Sequence, residues 1–548
     1  MAKVYELLSR QLTNLGADTI FGLVGSGNFF LAESLVNHGA KFVAARHEAG
    51  ALAMADAWAR LTQKVGICTV HMGPGFTNII TPLVEAAKAR TPLLILTADV
   101  STGAVTSTFA IDIDALATAS GAIPERLWKN STATQDLVRA YRRARNERRP
   151  VVFVMPQDIQ AAESSAVITA PEDNTFFSVA PERSVLEKIV SLVRDSRYPL
   201  ILAGRGSVLA GARAALEKLA EATGALLATT ANAHGLFAGN PWSIGIAGGF
   251  SSPGAVQLFR QADLILAFGA SLTVWTRRHG RLFPESCPIV QIDLDPAVLH
   301  RQYPVTLACV GDARATAEAL LELLPDKPVG QWRTPSTLQF IQEHSWINTP
   351  FEDASTESTI DPRALSLFLE QNLPPDRILV LDSGHFMAYP VMYLSVPDEK
   401  GFVFTQALQS IGFGLPNAIG AAIAYPDRLT IAATGDGGLL LSLSELETVA
   451  RYRLPILIVV YNDAAYGAEV HHFAPMGWPT STVQFPDTNI AELARALGMH
   501  AFTIRTRRDL ESLREALSDR SCYPMLLDAK VNPAVRGGEW FDLAFEGH

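Results

Sequence analysis

At 548 residues, 48% hydrophobic and only 18% charged, the chain has the composition of a large globular protein, which excludes a disordered or low-complexity one. A formal charge of −10 without any Lys/Arg-rich block argues against nucleic acid or an anionic membrane surface as partner and leaves a small solute. Cys68, Cys287, Cys309 and Cys522 are too scattered for a disulfide framework or a CxxC metal site and read as reduced structural thiols.

The opening MAKVYELLSRQLTNLGADTIFG predicts an amphipathic helix running into a strand. It contains no long apolar run of the signal-peptide kind, and no stretch of the chain is long enough to span a bilayer, so a cytoplasmic protein is expected. Short apolar, β-branched runs then alternate with Ala/Leu-rich helical stretches, three times over. This is the pattern of parallel α/β sheets covered on both faces. TIFGL, GICTVH, PLLILTA and PVVFVMP are the strands of a first block, followed by the polar linker AESSAVITAPEDNT. PLILAG, ALLATT, ADLILAFGA and PIVQIDLD form a second, ending near LLPDKPVGQWRTPS, where a second linker runs to about residue 358. RILVLDSG, FVFTQ, LTIAATGD, PILIVVYND and YPMLLDAKV form a third. The expected fold class is therefore α/β, with three open, mainly parallel α/β-sheet domains at residues 1–165, 183–330 and 358–535 and a C-terminal tail at 536–548. No short-period repeat is visible.

Within the third block, TGDGGLLL follows the strand LTIAA and sets Asp436 between Gly435 and Gly437. Open α/β sheets bind ligands beyond the carboxyl ends of their strands, where glycine lets a backbone approach closely. After 24 more residues come Asn462 and Asp463, at the end of PILIVVYND. Two strand ends thus carry oxygen ligands, and magnesium, which takes one or two carboxylates plus phosphate and water, would suit that spacing as the bridge to a diphosphate. An isolated GDG would be no more than an aspartate in a turn; the second strand end carries the reading. In the first block, AARHEAGALAMADAWAR places Glu48 at the head of a helix of small and apolar residues, where a carboxylate is either functional or simply favoured by the helix dipole. His47 makes no HExxH zinc motif, because Ala51 stands four residues on. Gly204-Arg205-Gly206, after PLILA, lacks the rest of a GxGxxG fingerprint and reads as a strand-end turn, so FAD is not expected.

GDG, an intervening helix and strand, and then the Asn462-Asp463 pair resemble the signature of thiamine-diphosphate enzymes of the acetolactate synthase, pyruvate decarboxylase and benzoylformate decarboxylase family. The resemblance extends to HMGPGFTN at 71–78 and SIGFGLPNAIGAA at 410–422, and so spans nearly the whole chain. It implies a pyrimidine-binding, a central and a diphosphate-binding domain, with thiamine diphosphate and Mg2+ as cofactors. Asp436, Asp463 and the carbonyl of Ala465 would hold the metal, with Gly435, Gly437 and Asn462 beside them; many family members carry Asn where this chain has Asp463. Glu48 would hydrogen-bond the pyrimidine nitrogen and promote the imino tautomer. Ile411 would prop the cofactor in its bent shape, unless it is an ordinary core isoleucine. Because the Glu48 and Asp436 domains pair across subunits in this family, a homodimer or homotetramer is implied.

The implied reaction is C–C cleavage of a small 2-oxo acid, in which the cofactor accepts the electrons left as carbon dioxide departs. The remaining fragment is either protonated to an aldehyde or joined to a second carbonyl compound such as an aldehyde. Candidate proton-transfer groups are Ser26 in FGLVGSGN and His71 in VHMGPG, which stand where benzoylformate decarboxylase has polar groups, and Glu469 in AYGAEVHHF, which matches the acid of pyruvate-decarboxylase-like members; His471 and His472 lie next to it. A second benzoylformate-decarboxylase histidine would fall near Thr276, and the nearest is His279. Ala110 in STFAIDIDALA stands where acetolactate synthase has glutamine. The expectation is a 2-oxo-acid decarboxylase with possible carboligase activity. An acetolactate synthase-like transferase and a non-catalytic cofactor-binding homologue are the alternatives.

Overall fold

The computed structural model of the chain describes residues 2–170, 178–324 and 330–546. Residues 171–177 and 325–329, which contain parts of the two expected linkers, lie outside the described residues, as do Met1 and 547–548.

The chain forms three six-stranded sheets, all parallel, each flanked by helices. The first runs, edge to edge, Lys41–Ala44, Thr19–Gly22, Gly66–Val70, Leu93–Asp99, Pro150–Pro156, Ile123–Arg126. The third runs Phe402–Phe404, Arg377–Leu381, Leu429–Gly435, Ile456–Asn462, Met525–Lys530, His500–Ile504. Numbered along the chain, both have the strand order 2-1-3-4-6-5, so the third domain repeats the topology of the first. The middle sheet, Ser243–Ile246, Leu226–Thr229, Pro199–Ala203, Leu264–Phe268, Ile289–Asp293, Leu307–Val310, has the dinucleotide-fold order 3-2-1-4-5-6. A short antiparallel pair, Ala2–Lys3 with Glu163–Ser164, ties the start of the chain to the end of the first domain.

Strands read from the sequence are the central ones, together with the edge strand Phe402–Phe404. Leu93–Asp99 and Ile456–Asn462 are buried at every residue, which is why they appear as unbroken apolar runs. The other five edge strands escaped the reading. Lys41–Ala44 buries one residue in four and Ile123–Arg126 likewise, so neither presents an apolar run. The segment expected as a C-terminal tail contains the helix Glu539–Phe545, with Trp540 buried against Phe250 and Trp275 and Phe541 buried beside His471. The expected second linker also contains structure: Thr334 caps the helix Pro335–Glu343, and Trp332 and Phe340 pack on the middle domain. No described helix is long and apolar enough to cross a membrane.

The helix Glu48–Thr62 is buried nearly all round, because it lies between its own sheet and the helix Gly414–Ala424 of the third domain. Alanines and glycines line the crossing, and one core cluster runs through both domains. At its tightest point a Cβ on Gly420 would stand 2.1 Å from the Met54 carbonyl oxygen. Gly420→Ala must therefore push two backbones apart, and is expected to lower unfolding stability by about 1–3 kcal/mol. A shift of the urea midpoint with unchanged strand content in far-UV circular dichroism is the measurement; an unshifted midpoint would mean that the helices separate without cost.

Candidate active site

In a sheet of order 2-1-3-4, successive strands step away in opposite directions on either side of the boundary between strands 1 and 3, and the crevice at their carboxyl ends is where α/β sheets hold ligands. In the third domain those ends carry Asp382 and Asp436. Asp382 is buried; Oδ1 accepts from the N–H groups of Ser383 and Gly412, both at 2.9 Å, and Oδ2 accepts from the Thr434 hydroxyl at 3.0 Å. Burial pushes its carboxyl up to about 6, against the pull of those donors. It thereby ties the loop carrying Ile411, which is half-buried here and not a core residue, to the strand leading into GDG. The sequence reading missed Asp382, although an acid at a strand end ahead of glycine in VLDSG is the same signal as GDG.

Asp436 opens the helix Asp436–Leu441 from its cap Gly435, and Asp463 directly follows the strand Ile456–Asn462. Both carboxyls are buried, and they lie close enough for the charge of one to act on the other. Burial pushes both upward, and at Asp463 the Asp436 charge adds to it. A buried acidic pair of this kind is costly until a cation shares it, and two carboxylate oxygens are what magnesium takes from protein. Ala465 sits beside them, its N–H donating to Asp463 Oδ1 at 3.3 Å. Among the described residues no three His, Cys, Asp or Glu side chains converge as a metal centre. Gly437 passes beneath Tyr466, whose ring would lie 2.6 Å from a Cβ there.

Asn462 faces inward. Its Nδ2 donates to Asp528 at 2.8 Å and its Oδ1 accepts from the Ala464 N–H at 3.1 Å, which fixes the turn carrying Asp463. His385, absent from the sequence reading, has Nε2 3.7 Å from Asp463 Oδ2 and is held near 3 by burial, hence neutral. Its ring lies 4.9 Å from His471. His471 and His472 in turn contact Phe541 and Phe545 of the C-terminal helix. Glu469 is exposed on the helix Gly467–Phe473.

The first domain presents the equivalent edge. Glu48 is the first residue of its helix, capped by His47, whose Nδ1 accepts from the Ala49 N–H. Glu48 is 9% exposed, and Oε2 accepts from Asn78 Nδ2 at 2.9 Å; Asn78 ends the GPGFTN turn and is a further residue the sequence reading did not single out. His71 follows the strand Gly66–Val70, and its Nδ1 accepts from the Gly27 N–H at 3.1 Å, which leaves the proton of the neutral ring on Nε2. Burial lowers His71 below its ordinary value while the Glu48 charge pulls the other way, so the imidazole is neutral at pH 7. Gly27 has no room for a side chain against that ring, and exposed Ser26 stands in the same turn. Phe109 packs edge-on to His71 at 5.3 Å, with Ala110 next in the chain. Ser26, Glu48 and His71 thus share one sheet edge. Thr276 and His279 do not join them: Thr276 hydrogen-bonds Thr273, and His279 Nε2 lies 2.8 Å from the Leu543 carbonyl of the C-terminal helix.

In the middle domain the Gly204–Gly206 turn sits at the corresponding crevice, where the Gly204 and Gly206 N–H groups donate to the carbonyls of Phe268 and Gly269. Within one chain, no described hydrogen bond or ion pair links the Ser26–Glu48–His71 edge to the Asp382–Asp436–Asp463 edge.

Three family models match in succession: the thiamine pyrophosphate enzyme N-terminal TPP-binding domain over residues 2–118, the central domain over 186–320 and the C-terminal TPP-binding domain over 382–529. The chain is 27% identical to a sulfoacetaldehyde acetyltransferase of Rhodobacter capsulatus, over 96% of this chain and 94% of that protein. It is 26% identical to a probable acetolactate synthase large subunit of Methanococcus aeolicus (96% and 92%) and to the acetolactate synthase isozyme 3 large subunit of Escherichia coli (97% and 96%). With all three domain types matched in order, and with an acidic pair and a buried glutamate at the two matching sheet edges, the chain belongs to the thiamine pyrophosphate-dependent enzyme family.

Proposed function

We infer that the protein cleaves a small 2-oxo acid with thiamine diphosphate and magnesium and releases the remaining fragment as an aldehyde or transfers it to a carbonyl acceptor. The observation that carries this reading is the grouping of Glu48, His71 and Ser26 at one sheet edge, with the buried Asp436–Asp463 pair at the matching edge of a topologically equivalent sheet. When bound, thiamine diphosphate supplies a nucleophilic carbon and the electron sink for decarboxylation. Asp436, Asp463 and the Ala465 carbonyl would hold magnesium against the diphosphate. Glu48, fixed by Asn78, would hold the proton at the pyrimidine nitrogen. His71, neutral and with its Nε2 proton directed away from Gly27, can give that proton to a carbanionic carbon or hydrogen-bond the substrate carboxylate; Ser26 would assist in orienting it.

The two edges would meet between chains. Phe29, Phe30 and Phe109 are exposed in the first domain, and Leu441, Tyr466, Phe473 and Trp478 in the third. Such surface apolar residues favour contact with a second copy, and a two-fold dimer that puts one chain's first domain against the other's third completes two sites at once. An acetolactate synthase-like transferase is the second reading, favoured by the names of the relatives. Products formed from a panel of aliphatic and aromatic 2-oxo acids, with and without aldehyde acceptors, separate the two: aldehyde alone supports the decarboxylase, hydroxyketone the transferase. A chain whose melting temperature is unmoved by thiamine diphosphate with Mg2+ would be neither.

Glu48→Gln keeps the shape and removes the charge, so turnover should fall by about 100-fold or more while cofactor binding persists. Near-normal turnover would remove Glu48 from the mechanism. Asp436→Ala should abolish magnesium-dependent retention of the cofactor in calorimetry, with Asp463→Asn mild; unchanged affinity in Asp436→Ala would misplace the metal. Mixing these two inactive chains, Glu48→Gln with Asp436→Ala, tests the shared site. A random mixture of dimers carries one intact site in half its molecules, so about a quarter of wild-type activity should return, and none if each site is built within one chain. His71→Ala should slow aldehyde release more than carbon dioxide release in rapid-quench experiments; equal slowing of both would leave His71 a binding residue only.

A further inference from the structure

Two buried carboxylates cross the contact between the first and third domains in opposite directions. Glu445 opens the helix Glu445–Tyr452, and its Oε1 accepts from the backbone N–H groups of Arg46 at 3.1 Å and His47 at 3.0 Å, the two residues ahead of Glu48. Its Oε2 accepts from the Thr448 hydroxyl at 2.7 Å, and no Lys or Arg side chain pairs with it among the described ion pairs. The rest of that helix continues along the same segment: the Tyr452 hydroxyl accepts from the Ala44 N–H at 2.9 Å, and Arg451 donates to the Ala44 carbonyl at 2.7 Å. In the other direction, Glu85 of the first domain accepts from the N–H groups of Ala407 at 3.2 Å and Leu408 at 2.6 Å, just ahead of Ile411. Arg60 neutralises Glu85 and Asp56 and donates to the Phe404 carbonyl.

We propose that Glu445 is a positioning residue for Glu48, and Glu85 its counterpart for the Ile411 loop: each carboxylate fixes, from the opposite domain, the backbone segment that delivers a cofactor-facing side chain. The N–H groups at the start of a helix have no partner within it, and an ionised acceptor makes the stronger bond to them. In the strand-to-helix connection Ala45–His47, the Ala45 N–H bonds to Gly22 of its own domain while Arg46 and His47 are exposed; their bonds to Glu445 fix the last two residues ahead of Glu48. The structure also reserves the space: a Cβ on Gly50 would stand 2.4 Å from Glu445 Oε1. The proposal rests on the reading of Glu48 as the group that faces the pyrimidine ring.

Hydrogen–deuterium exchange of the cofactor-free full chain tests it first, in wild type, Glu445→Ala, Glu445→Gln and Gly50→Ala. Exchange at residues 44–51 should rise by about tenfold in Glu445→Ala and stay near wild type in Glu445→Gln, whose amide oxygen still accepts and whose NH2 can donate to Thr448. Gly50→Ala should behave like Glu445→Ala although alanine is the better helix former, because it displaces the carboxylate; this arm stands even if Glu445→Ala fails to fold. With cofactor added, Glu445→Ala should lower kcat by about tenfold with KM for the 2-oxo acid little changed, and should cost less than about twofold on a Glu48→Gln background. Unchanged exchange at 44–51 in both Glu445→Ala and Gly50→Ala, or an equal loss of turnover with and without Glu48, overturns the proposal. A wild-type chain that fails to bind thiamine diphosphate would instead overturn the functional reading and leave the exchange result to judge the clasp alone.

Discussion

The close crossing of the helices Glu48–Thr62 and Gly414–Ala424 is the contact on which the rest of the molecule depends. Small residues on both helices let the backbones approach until Gly420 lies against the Met54 carbonyl. That approach merges the cores of two domains into one cluster and brings the connections on either side of it within hydrogen-bonding range. The middle domain plays no part in this crossing; it joins the third domain through the C-terminal helix, with the ion pairs Arg278–Glu539 and Arg281–Glu546, and through His234 and Phe250 against Phe402 and Phe404.

Because the first and third sheets share one strand order, they offer the same crevice twice, and the chemistry differs only in what stands at the strand ends. In the third domain the crevice is acidic, with Asp382, Asp436 and Asp463 all buried and all pushed upward by burial. In the first it is nearly neutral, with an imidazole, a hydroxyl and one glutamate. On the proposed reading, an anionic group bridged by a divalent cation would sit at the acidic edge, and a weakly basic ring with a titrating nitrogen at the other. Buried carboxylates are expensive in an isolated fold, and their concentration at one edge marks a place where structure gives up stability for binding. Asp382 differs from the other two: its oxygens are occupied by backbone and hydroxyl donors, so it shapes the edge without offering a ligand.

The sequence by itself determined the fold class, the number of sheets and the central strands, because a strand buried on both faces must be apolar throughout. It also determined that acids would lie at two strand ends of one sheet, since Asp436 and Asp463 each close an apolar run of strand length, LTIAATGD and PILIVVYND. It did not determine the edge strands: Lys41–Ala44 and His500–Ile504 each pair with a neighbour on one side only, and their half-exposed residues resemble loops. Nor could it tell that residues 539–545 are a helix, because Trp540 packs against Phe250 and Trp275 of the middle domain and Phe541 against His471. Glu445 and Glu85 look like ordinary helical glutamates in the sequence; only the tertiary structure decides that they face backbone N–H groups 398 and 322 residues away, since a cap from another domain leaves no local pattern.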